Sequence, residues 1–371
     1  MSIEALLNHF KARVPWPTMR NILHTHNLPV GQGWVGTIAK LMAYEELGAS
    51  QAKELNALED PYLENVLAGE KAIRFIEVKP EDAAALAAAF KGFDIPKNPF
   101  ATSYPFPLDE ENLAKVDKTS LLAGIEDLGH ALAFVFCTKR FVTERQELNL
   151  EGFKEETQEE LRQYDEIITV KHRMRQFVDV VVLWKEEGFA EIRIDLGEGI
   201  SSDDQHLALQ GLIATFNAVG LERAGVKQIL GQPVNLFPLV DALYDSDEGR
   251  VCELGFITDG ASIKTEKMRR KEVDLRAEAY HMAGKKAVHH ITPFKLGVIW
   301  SIQDANEKEQ SPELLLPGSV RTLSEKSQCL YDARITNCCG LEDFHFVVNK
   351  MREYLEGGED EAAGVMVVAA N

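Results

Sequence analysis

The sequence predicts an α+β protein, with an N-terminal helical domain followed by a mixed, mainly antiparallel sheet domain on which helices pack. Residues 1 to about 70 carry apolar side chains at helical spacing and no convincing strand. From about residue 130 the apolar period changes to two, the mark of strands. Those strands are interrupted by helices without the regular strand–helix alternation of a doubly wound sheet. A chain of 371 residues exceeds what one hydrophobic core comfortably covers, so two or three domains are expected. The pattern divides it into a helical domain (1–70), an α/β connecting region with a proline and aromatic strap (71–130), an α+β sheet domain (131–355) and a disordered acidic tail (356–371).

In the first unit, Ser2 is placed to cap a helix whose one face carries Ile3, Leu6, Leu7 and Phe10. Pro15 and Pro17 break it, and Pro17 stands where a second helix can begin, bearing Met19, Ile22 and Leu23. A loop with Gly31, Gly33 and Gly36 leads into a third helix with Ile38, Leu41 and Met42. Shorter helical pieces follow at 51–58 and 62–67. Residues 72–78 read as the first strand, and Pro80 opens an alanine-rich helix over 81–91. The stretch 94–107 then combines Pro96, Pro99, Pro105 and Pro107 with Phe100, Tyr104 and Phe106, after Phe93. That is too apolar for a free linker and predicts an extended strap packed over a core.

In the sheet domain, 132–136 reads as a compact apolar strand and 151–163 as a solvated loop or surface helix. Two longer strands, 167–184 and 189–196, form a hairpin around a short turn at 186–188. The second alternates Ala190, Ile192, Ile194 and Leu196 with Glu191, Arg193 and Asp195, predicting a half-buried antiparallel strand. Ser201 or Ser202 caps a helix from 203 to about 219, and a further helical pair is expected over 222–243. Strands return at 251–257, 294–302 and 328–335, and a last helix spans 341–355 with Phe344, Val347, Val348 and Met351 on one face.

Hydrophobic residues make up 45% of the chain and charged residues 27%, values that exclude wholesale disorder. No apolar run approaches the ~18 residues of a transmembrane helix, and the start lacks the pattern of a secretory signal. The cytoplasm is the expected location, and no membrane partner is expected. The five cysteines, Cys137, Cys252, Cys329, Cys338 and Cys339, are sparse and form no CxxC pair, so neither a disulfide framework nor a zinc ribbon is predicted. The net charge of −19 excludes a protein that coats nucleic acid or anionic membrane with its whole surface. It leaves room for one local basic groove.

The cations are concentrated enough to build such a groove. Residues 264–290 hold Lys264, Lys267, Arg269, Arg270, Lys271, Arg276, Lys285 and Lys286 against four acids, with His281, His289 and His290 among them. Lys171, Arg173 and Arg175 alternate along one strand, which puts all three on one face. Lys139, Arg140 and Arg145 follow another strand. A row of cations on a sheet face, flanked by a basic helix or loop, is how a phosphate-binding groove would be made. The nucleic-acid site expected is therefore Lys171, Arg173, Arg175, Lys267, Arg269, Arg270, Lys271, Lys285 and Lys286. Cations that pair with acids or cover a solvated face are the alternative.

The residues Met19 to Gly31, continuing to Ile38, Ala39, Lys40 and Leu41, resemble a SAP-type helix–extended loop–helix, in which a helix ending in Leu28-Pro29 passes through a glycine loop into a second helix. The resemblance covers about 17–42 and implies DNA binding. Trp34 stands where that family often has a lysine. The same loop also fits GxGxxG at Gly31, Gly33 and Gly36, but a helix and Pro29 precede it where a dinucleotide fingerprint needs a strand.

No acid–base or metal motif is complete. Asp203, Asp204 and His206 open a helix, where acids also cap and favour the dipole. Glu191 and Asp195 resemble a metal-dependent nuclease strand, yet Gly197 replaces the lysine such a site places two residues on. Asp245 to Gly249 lacks the terminal glutamate of an EF-hand loop, and the adjacent His289 and His290 point to opposite faces of a strand. The sequence thus predicts a non-catalytic nucleic-acid-binding or adaptor protein of the bacterial or archaeal type, without metal or cofactor. A hydrolase or nuclease using Asp195, Asp203, Asp204 and His206 is the first alternative. A structural subunit of a complex, or a homo-oligomer, is the second.

Overall fold

The computed structural model describes residues 1–185, 187–197, 200–303, 306–324 and 328–368, the side chains of 151 and 358–368 excepted. The expected disordered tail falls, after its first residues, outside the described side chains. Five helices open the chain: α1 (Ile3–Arg13), α2 (Trp16–Thr25), α3 (Gly33–Glu45), α4 (Ala49–Asn56) and α5 (Glu59–Ala68). Ser2 Oγ accepts from the Ala5 N–H and so caps α1, as its position predicts. Pro17 lies in the first turn of α2, where its missing N–H costs nothing. Between α2 and α3 the loop is drawn so tight that a Cβ on Gly31 would meet Gly36 backbone at 2.3 Å. These glycines serve helix-to-helix packing.

Among the described residues, ten strands form one sheet in the order β2-β3-β4-β5-β1-β12-β11-β8-β6-β7, every pairing antiparallel. They are β1 (Lys71–Glu77), β2 (Leu121–Asp127), β3 (Ala131–Glu147), β4 (Ile168–Trp184), β5 (Phe189–Asp195), β6 (Arg250–Thr258), β7 (Ile263–Lys267), β8 (Ile291–Ile299), β11 (Glu313–Leu316) and β12 (Ala333–Thr336). The short β9 (Ile302–Gln303) and β10 (Glu309–Gln310) pair separately. The remaining helices are α6 (Pro80–Phe90), α7 (Pro99–Ser103), α8 (Glu110–Lys115), α9 (Glu155–Leu161), α10 (Ser202–Ala224), α11 (Pro238–Asp245), α12 (Ala279–Ala287), α13 (Val320–Ser324) and α14 (Leu341–Val368). No described helix is long and apolar enough to cross a membrane.

Helices cover both faces. On one, the α1–α5 helices, α11 and α14 pack Phe10, Met19, Leu243, Phe344 and Met351 with Val178, Val180, Val182, Ile73 and Val298. On the other, Leu86 and Phe90 of α6 and Leu212 and Phe216 of α10 meet Phe134, Phe136, Val181, Leu183 and Ile192. Adjacent residues of β4 therefore enter opposite cores, which is why its inner half is a continuous apolar run.

Several sequence expectations change. β5 is buried on both faces. Glu191 and Arg193 lie inside the molecule, because α5 and α14 cover the side expected to face water. Their charges are satisfied there: Glu191 accepts from Trp184 Nε1 at 2.7 Å and from Arg193 Nε at 2.8 Å, and Arg193 lies 4.3 Å over the Phe344 ring. The helical pair expected over 222–243 is absent. α10 instead runs on to Ala224, stops at Gly225 with φ 71°, and helix resumes only at Pro238. The apolar core of β3 extends to a polar outer half ending at Glu147, and three strands the spacing did not predict join the sheet: β2, the polar β7 and the short leucine run of β11. The strap holds one short helix, α7, with Phe100 buried and Asn98 donating to the Leu122 carbonyl at 2.9 Å.

Candidate nucleic-acid interface

β4 is paired with β5 only from Val180 to Leu183, whereas its pairing with β3 runs unbroken from Ala131↔Trp184 to Glu147↔Ile168. The outer halves of β3 and β4 consequently project as a two-stranded ribbon. Lys171, Arg173 and Arg175 alternate along it and share one face. Their direct partners across the ribbon, Glu144, Val142 and Arg140, stand on that same face. Lys171 and Arg173 are exposed; Arg173 Nε lies 2.8 Å from Glu144, a contact of little net strength between two solvated groups. Arg175, half-buried, donates from Nη2 to the Ala12 carbonyl at 2.6 Å. Arg140 pairs with the buried Asp179 and lies 5.0 Å over Phe177. The reverse face exposes Phe141, Ile168, Val170 and Met174.

The other six predicted site residues lie elsewhere. Lys267 ends β7, and Arg269, Arg270 and Lys271 follow it, at the far edge of the sheet. Six strands stand between β4 and β7, so seven steps of about 4.8 Å separate them by about 34 Å. Lys267 is tied to Glu253 at 2.8 Å and Lys271 to Glu313. Lys285, at the end of α12, donates to the Tyr244 hydroxyl at 3.1 Å, while Lys286, Arg269 and Arg270 are exposed. The single groove expected from all nine residues does not form, because the sheet order sends the two cation clusters to different edges. The ribbon keeps three of them together.

At the root of the ribbon lies a cavity of about 630 Å³, walled by Arg13, Trp16, Trp34, Tyr62, Met174, Arg175 and Asp195 among others. Trp16 and Trp34, from the starts of α2 and α3, meet edge-on with centroids 5.6 Å apart. Asp195 forms the floor. Arg13 reaches it with two hydrogen bonds of 3.0 and 2.9 Å, Lys71 Nζ with one of 3.3 Å, and the Val178 N–H with one of 3.0 Å. Burial opposes charge on this carboxyl, but Arg13 and Lys71 outweigh it and hold its pKa down to about 2. Lys71 is wholly buried, and desolvation brings its pKa down to about 8 even beside Asp195, since Arg13 already neutralises that carboxylate.

These partners leave Asp195 unsuited to metal. Ser201 Oγ caps α10 by accepting from the Asp204 N–H at 3.1 Å and donates to its carboxylate at 2.6 Å. His206 pairs with Gln210 at 2.8 Å. Among the described residues no group of three His, Cys, Asp or Glu side chains could hold a metal ion, so Asp195, Asp203, Asp204 and His206 are not gathered into one site. Cys137, Cys252 and Cys338 are free thiols.

Sequence reasoning missed Arg13, Trp16, Trp34 and Lys71. Lys71 alone carried a signal, since it shares the parity of Ile73 and Phe75, the inward-facing residues of β1. The chain matches no family model and no curated protein.

Proposed function

We propose that this protein is a non-catalytic nucleic-acid-binding protein that engages phosphates with the cationic face of the β3–β4 ribbon. The observation supporting it is the row of Lys171, Arg173 and Arg175 on a projecting two-stranded element, with Arg140 opposite Arg175. A ribbon of this kind is narrow enough to enter a duplex major groove about 12 Å wide, and equally able to lie along a single strand. The acidic remainder, at −19 for the whole chain, repels phosphate and confines binding to this row. The free thiols of Cys137, Cys252 and Cys338 fit the cytoplasm as the place where it acts.

Binding to labelled duplex DNA, single-stranded DNA and RNA, followed by anisotropy across a salt titration, tests the reading. Each phosphate that a variant no longer neutralises should lower the slope of log affinity against log salt by about 0.7–0.9. The Lys171→Glu, Arg173→Glu double variant should lose binding while melting at the wild-type temperature. Wild-type protein that binds nothing at low salt, or a double variant that binds equally well, would sink the proposal. Shortened products in magnesium-containing lanes would favour the hydrolase alternative. The exposed Phe141, Ile168, Val170 and Met174 on the reverse face favour a second reading, a subunit that docks on another protein. Mass photometry of the chain alone and in pull-downs speaks to it.

A further inference from the structure

We infer that the cavity at the ribbon root is a base-stacking pocket, which makes single-stranded nucleic acid the ligand of the cationic row. This rests on the ribbon reading above and adds to it the strandedness of the ligand. Alternate residues along a strand lie about 6.8 Å apart, so the row offers a cation at roughly the interval of successive phosphates in an extended strand. The row does not stop on open surface. Arg175, its last member, reaches past the β4 edge that β5 leaves unpaired to the Ala12 carbonyl and lines the cavity, whose other β4 walls, Met174 and Gln176, belong to the reverse face. A strand following the row from Lys171 reaches the cavity by turning round this β4 edge at Arg175.

The interior suits a flat, neutral group. At about 630 Å³ the cavity lies within the range of pockets that hold small planar ligands. Trp16 and Trp34 are each only half-buried, so aromatic surface remains to stack on, and Met174 adds a polarisable wall. The carboxylates there do not demand a cation: Asp195 is taken by Arg13 and Lys71, and Glu70 accepts from the Asn337 N–H at 2.9 Å. Of the exposed charged residues in the lining, Glu110 at the start of α8 is offset by Lys11 at the end of α1, so neither sign of charge is called for inside. Stacking on a π-face is available to every base, so this pocket is indifferent to sequence. A duplex could fill it only by extruding a base from its stack, and binds less well for that reason.

The test uses the whole chain with single strands carrying one 2-aminopurine, and with the matched duplex. The single strand should bind about tenfold more tightly than the duplex, the effect of one stacked base. Its 2-aminopurine fluorescence should fall on binding when the base lies at the cavity. Trp34→Ala should reduce single-strand affinity to the duplex level, Trp34→Phe should restore most of it, and duplex affinity should stay constant. Equal affinities for both ligands, unchanged by Trp34→Ala, would overturn the pocket and leave the ribbon standing. Unchanged fluorescence wherever the 2-aminopurine is placed would overturn it too, whether or not the alanine variant folds. If the wild type binds neither ligand, pocket and ribbon fall together.

Discussion

Asp195 sits between Arg13, from the first helix, and Lys71, from the first residue of the central strand, and it accepts from the backbone of β4 as well. Three distant parts of the chain thus meet on one carboxylate. Removing one partner of such a pair leaves a buried charge without compensation, at a cost of roughly 3–5 kcal/mol. Arg13→Ala should accordingly lower unfolding free energy by about 3 kcal/mol, measured by urea denaturation at neutral pH. The pH dependence has a definite sign. The folded pKa of Asp195 is about 2, below the ordinary carboxylate value, so its contribution is present above pH ~4 and is lost as pH falls toward 2. In Arg13→Ala the acid-unfolding midpoint should move to higher pH. An unchanged midpoint would mean that Lys71 alone holds the charge. Nothing in the sequence marked this residue as structural, since an acid in an alternating strand reads as surface.

Among elements, α10 shows what local chemistry controls. Its cap at Ser201, the acids of its first turn and its apolar stripe are all local signals, and the helix begins where they place it. Its end was less legible, because Gly220 and the residues after it read as a break. In fact a Cβ at Gly220 would strike Ile229 at 2.2 Å, so that glycine serves a close approach inside a continuing helix. The true stop is Gly225, at φ 71°. Two glycine substitutions separate the roles. Gly225→Ala should cost about 1 kcal/mol, because alanine resists the left-handed conformation. Gly211→Ala, exposed in the same helix with nothing within 4 Å of the added carbon, should stabilise by about 0.5–1 kcal/mol. Thermal melts of the two variants should shift in opposite directions. The ribbon was half legible: the alternation of Lys171, Arg173 and Arg175 gave their common face, but the length of β3 did not announce itself in a polar stretch.

At the scale of the molecule, the central position belongs to β1, which lies between β5 and β12 although it precedes both by more than a hundred residues. One of its faces is covered by the N-terminal helices, whose Leu6, Phe10, Leu23 and Tyr62 share a core with the sheet residues Ile73, Val178 and Val180. A chain beginning at residue 71 would expose that core and strip Arg13 from Asp195. It should fail to fold, giving no cooperative urea transition and strong binding of a hydrophobic dye. A sharp transition in that truncated chain would show that the helices are an appended unit. The same sheet order decides the fate of the cations, since it carries 171–175 and 267–271 to places with six strands between them.

The sequence alone determined the α+β class, the helical start, the hairpin of β4 and β5 and the single face of the ribbon cations. Each of these rests on spacing or capping between residues near one another in the chain. Only the tertiary structure decided which strands are neighbours, that the charges of β5 are internal, that the basic residues divide into two groups, and that Trp16 and Trp34 border a cavity beside Arg175. Strand order and helix coverage come from non-local packing, in which burial and the pairing of buried charges outweigh local preference, and one chain's periodicity is compatible with many such arrangements.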